Sequence, residues 1–117
     1  MDSTTNGFQK LLTEAFVFAK TAHRCSFTDC ENNLPEDKIS AMAYAAACIA
    51  KSSAAEAVYW NHRELQTNEN AYLLAQFDTF TQEVLRDFQT NHSRQWVDIE
   101  FTQLKERFNQ AMETMKQ

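Results

Sequence analysis

Among 117 residues there is one glycine and one proline. Hairpins need glycine at positive φ and proline to preset turns, so this scarcity excludes a turn-rich β fold. Gly7 is the only glycine, which leaves no means of building a glycine-rich phosphate loop. Glu-x-x-His, His-Glu-x-x-His and Cys-x-x-Cys are all missing, which removes the di-iron carboxylate bundle and common zinc motifs. Neither a cofactor nor a metal is expected. No apolar stretch approaches the roughly 18 residues that a membrane span requires. Met1-Asp2-Ser3-Thr4-Thr5-Asn6 lacks the basic and apolar regions of a signal peptide, and the cysteines are odd in number: Cys25, Cys30 and Cys48. Together these features lead to the expectation of reduced thiols in a cytoplasmic protein.

What is present is core material. Nine Phe, three Tyr and two Trp stand among 44% hydrophobic residues. Disordered chains lack such aromatics. A single domain over residues 1–117 is expected, because a chain of this length buries roughly two thirds of its unfolded surface without a disulfide or metal. The formal net charge of −5 repels polyanions and disfavours a general nucleic-acid or anionic-membrane surface.

Four segments carry helical period, at about 7–25, 35–63, 70–90 and 94–116, with 1–6 expected as a flexible segment. In the first, Phe8, Leu12, Ala15, Ala19 and Ala22 recur at spacings of four and three and share one face. The second opens on Pro35, Glu36 and Asp37, where proline suits the first turn and the acids suit the positive dipole end. Nine alanines follow between Ala41 and Ala57. Alanine favours helix and permits close approach, so this helix is expected at the centre, in contact with several neighbours. The third presents Leu73, Phe77, Phe80, Val84 and Phe88 on one face. Ser93 is the expected N-cap of the fourth, whose Val97, Phe101, Leu104, Phe108, Ala111 and Met115 form a heptad seam. Short connections between such helices imply an all-α, up-down four-helix bundle.

His23, His62 and His92 fall in or near the last turns of these helices, where a protonated imidazole complements the dipole. His23 and His92 also share a pole of an up-down bundle with Cys25 and Cys30, a tetrahedral zinc set by number although by no known spacing. Cys48 reads as core.

The run Arg86-Asp87-Phe88-Gln89-Thr90-Asn91-His92 resembles the Arg-polar-x-His signature of HEPN domains, small all-α domains of which many are metal-independent ribonucleases. The likeness extends to helix order and to the alanine-rich second helix ending Ala54-Ala55-Glu56-Ala57-Val58-Tyr59-Trp60-Asn61. It implies a site built across a dimer, with Arg86 holding the scissile phosphate, His92 transferring a proton and Asp87 orienting the pair. Arg94 departs from the aromatic that many members carry two residues after the histidine. Nucleic acid is an expected partner only on this resemblance.

A second class of function follows from surplus apolar surface. Phe16, Val17 and Phe18 are consecutive and cannot all face one core. Tyr59, Trp60 and Trp96 add to the excess. Exposed aromatics mark partner surfaces, and symmetric homodimers are the commonest assembly. The leading expectation is therefore a self-associating, non-enzymatic interaction module with Phe16, Phe18, Tyr59, Trp60 and Trp96 at its interface. A ligand cavity between helices leaves no linear motif and stays open.

Overall fold

Periodicity of four and three over four stretches becomes four helices in the computed structural model, which describes residues 3–27, 35–90 and 94–116. Helix α1 spans Ser3–Phe27, α2 Pro35–Asn61, α3 Asn68–Thr90 and α4 Arg94–Lys116, with a short 3-10 turn at Arg63–Leu65 between α2 and α3. The protein is an all-α four-helix bundle measuring 47 × 20 × 19 Å. Helix α1 starts four residues before the expected Gly7, so Ser3 to Asn6 form its first turn.

Each helix packs on its sequence neighbours, α4 closes back onto α1, and α1 and α3 meet across the short diagonal. Helices α2 and α4 thus occupy the two far corners. The expected central position of α2 is not observed: its alanines line a tight seam with α1 on one side and face solvent on the other.

Polar ties report the antiparallel registers. Glu14 of α1 and Lys51 of α2 approach to 3.4 Å. Between α3 and α4, Gln76 Nε2 donates to the Glu100 carbonyl at 3.0 Å and to its Oε1 at 2.8 Å. Arg107 also lies 5.0 Å over the Tyr72 ring.

The core is graded in size. Phe77, Phe80 and Leu73 of α3, Phe8 and Leu12 of α1, and Leu104 and Val97 of α4 are wholly buried. Ala15, Ala19, Ala22, Ala41, Ala45 and Ala55 fill the side where α1 meets α2. Small side chains there let two backbones approach closely, which is why these two helices share the most intimate seam.

The three consecutive apolar residues of α1 separate because neighbours on a helix diverge by about 100°. Val17 points outward, 54% exposed. Phe16 turns toward α4, its ring 4.3 Å from Phe108 and 5.8 Å from Phe101. Phe18 turns toward α2, 6.3 Å from the Tyr44 ring. Tyr59 is buried. Phe16 and Phe18, expected at an interface, are partly buried against their own bundle because α4 and α2 offer grooves on both flanks of α1, and Tyr59, also expected there, lies on the inner side of α2.

Candidate functional site

The Arg86–Asp87 segment lies in the last turns of α3. Arg86 has its side chain 55% exposed and donates from Nη1 to Glu83 Oε1 at 3.1 Å, a pair one turn apart. Asp87, one residue on, turns inward and is buried. It lies beside Ser26, Lys38, Ala41 and Val84 around a narrow crevice. His92 lies outside the described residues, as do the expected Ser93 cap and the side chain of Phe88. The structure thus sets Arg86 and Asp87 on different sides of α3.

Of the four residues considered for zinc, Cys30 and His92 lie outside the described residues. His23 is used between helices: its Nε2 sits 3.0 Å from Asp98 Oδ1, and its ring stacks on Phe101 at 4.2 Å. Cys25 is half-buried. Among the described residues no group of three or more His, Cys, Asp or Glu could hold a metal ion. Cys48 is fully buried, and burial pushes its thiol pKa up to about 12, so it stays protonated and unreactive. His62 follows the last residue of α2, with Nδ1 3.6 Å from Glu64 Oε1.

Of the five expected interface residues, Trp60 (66%) and Trp96 (47%) are the exposed ones. They cannot serve one flat surface, because they belong to helices at opposite corners of the bundle. What surrounds each differs. The outward residues of α4 after Trp96 and the exposed Ile99 include Gln103, Glu106, Gln110 and Glu113, a solvated face.

The outward side of α2 is different. Ile39, Ala43, Ala46, Ala50, Ala54 and Ala57 recur at spacings of four and three and are all exposed. Ile49 and Trp60 flank this row on the side toward α3, where Ile49, Ser53 and Glu56 border an open groove against Ala75 and Asp78. No charged residue occupies the row between Ile39 and Ala57. Sequence reading missed this surface because alanine serves a buried seam and an exposed helix side equally well. The available signal was a second row of apolar residues, offset from the buried Ala41, Ala45, Cys48, Ala55 and Tyr59.

Among the described residues no helix is long and apolar enough to cross a membrane. No protein family model, curated protein or solved structure matches the chain.

Proposed function

We propose that this chain is a non-enzymatic interaction module whose bundle self-associates through the outward side of α2. The observation that carries this reading is the uncharged apolar row Ile39, Ala43, Ala46, Ala50, Ala54 and Ala57, exposed on a corner helix and flanked by Ile49 and Trp60. A helix that packs on one side only normally carries charge on the other, as α4 does. An apolar side left open is favourable to cover, and covering alanines costs almost no side-chain entropy. Trp60 contributes the large aromatic anchor typical of association surfaces.

Light scattering across a concentration series tests the reading. The wild type should reach twice the 13.5 kDa chain mass. Ala50→Glu should return it to one chain mass with helicity intact, since glutamate is also a good helix former. A wild type that stays at one chain mass throughout overturns the proposal.

A further inference from the structure

We infer that the second copy docks antiparallel, with a twofold axis passing beside Ala50 so that α2 packs on its own symmetry copy. This rests on the self-association reading and adds its geometry. The outward positions are 39, 43, 46, 50, 54, 57 and 61, with spacings of four, three, four, four, three and four. That order is the same read in either direction from Ala50. In an antiparallel pair Ala50 faces its own copy, Ala46 faces Ala54 of the second copy, and Ala43 faces Ala57. Alanine meets alanine from position 43 to 57, with Ile39 and Asn61 facing each other at the two ends, so the middle of the seam can close to about 8 Å.

The larger residues choose the direction. Met42, Ile49, Ser53, Glu56 and Trp60 fall on the α3 side of the row by their spacing of seven, four, three and four, Glu56 being the one charge among them. An antiparallel twofold keeps that side of one copy beside the same side of the other. Ile49 then meets Ile49 of the second copy next to the axis, and Trp60 lies over Ile39 and Met42 of the second copy. A parallel pair crosses the sides over, and Trp60 meets Asn61 and Val58 instead. The apolar match belongs to the antiparallel arrangement.

The area is adequate. Trp60, Ile39 and Ile49 are 66%, 53% and 38% exposed. With the alanines they present roughly 600 Å² per copy, about 1,200 Å² for a pair, which reaches the lower bound of stable interfaces.

Disulfide trapping separates this geometry from its rivals. The background carries Cys25→Ser and Cys30→Ser and keeps Cys48, which is fully buried and inaccessible to cross-linking. Oxidised with copper–phenanthroline, Ala50→Cys should form a covalent dimer. Ala43→Cys alone should not, because its two copies lie about 21 Å apart along the axis, far beyond the roughly 7 Å limit of a disulfide. Ala43→Cys mixed with Ala57→Cys should cross-link. Independently of cysteine, Ala43→Lys mixed with Ala57→Glu should assemble better than either variant alone. Self-cross-linking of Ala43→Cys and Ala57→Cys separately would establish a parallel pair and overturn the inference while leaving self-association standing. A protein of two-chain mass that cross-links at none of these positions would overturn both the face and the geometry. A one-chain mass removes the self-association reading itself.

Discussion

Cys48 shows how burial alone sets chemistry at one residue. It sits on the inner side of α2 with no solvent exposure, and desolvation of the thiolate moves its pKa from the usual thiol range up to about 12. The unfolded thiol titrates near 9, so between about pH 9 and 12 the unfolded state has lost a proton that the folded state keeps. Stability therefore falls as pH rises through that window, by up to about 1.4 kcal/mol per pH unit from this group. Denaturant melts at pH 8 and pH 10.5 should show Cys48→Ala losing less stability than wild type between the two. Equal losses would mean that the folded thiol ionises normally. His23, half-buried, stacked on Phe101 and bonded to the exposed Asp98, ties α1 to α4.

At the scale of the element, side-chain hydrogen bonds specify the α2–α3 connection. Gln66 Nε2 donates to the Tyr59 carbonyl at 3.1 Å, satisfying the end of α2. Thr67 Oγ1 accepts from the Asn70 backbone N–H at 3.2 Å and so acts as the N-cap of α3. Asn70, almost wholly buried, donates from Nδ2 to the Leu65 carbonyl at 2.8 Å and pins the 3-10 turn beneath the helix. This chemistry starts α3 at Asn68, two residues before the hydrophobic pattern implied, because a cap acts through its hydroxyl rather than through apolar period. Thr67→Ala should cost about 1 kcal/mol of unfolding free energy, read from the midpoint in urea, while Thr67→Ser should cost a few tenths. A serine variant as unstable as the alanine one would assign the effect to the threonine methyl instead of its hydroxyl.

At the scale of the whole molecule, the arrangement of corners decides which surface is free to act. Helices α2 and α4 lie across the long diagonal, so Trp60 and Trp96 look away from each other. Trp60→Glu should therefore weaken self-association at least tenfold, whereas Trp96→Glu should leave the two-chain mass unchanged; sedimentation equilibrium measures both. A larger effect from Trp96→Glu would move the interface to α4. The four-helix architecture and most of the core were legible in the order of residues. Phe8, Leu12, Ala15, Ala19 and Ala22 are buried on α1, and Leu73, Phe77, Phe80 and Val84 on α3, as their spacing requires. The candidate interface was legible only in part, through Trp60. Phe16 and Phe18 looked surplus because a linear pattern counts apolar residues on one helix without the grooves that neighbouring helices offer them.

By itself the sequence determined the number of helices, their direction and the inward faces of α1, α3 and α4, because a period of 3.6 residues and short connections leave little choice. Only the tertiary structure decided that α2 takes a corner instead of the centre, that Phe16 stacks between Phe101 and Phe108, and that Asp87 turns inward while Arg86 stays out. The physical reason is the ambiguity of alanine, which is small enough to fill a seam and apolar enough to leave one open. A row of alanines becomes a core or a surface only once the other three helices have taken their places.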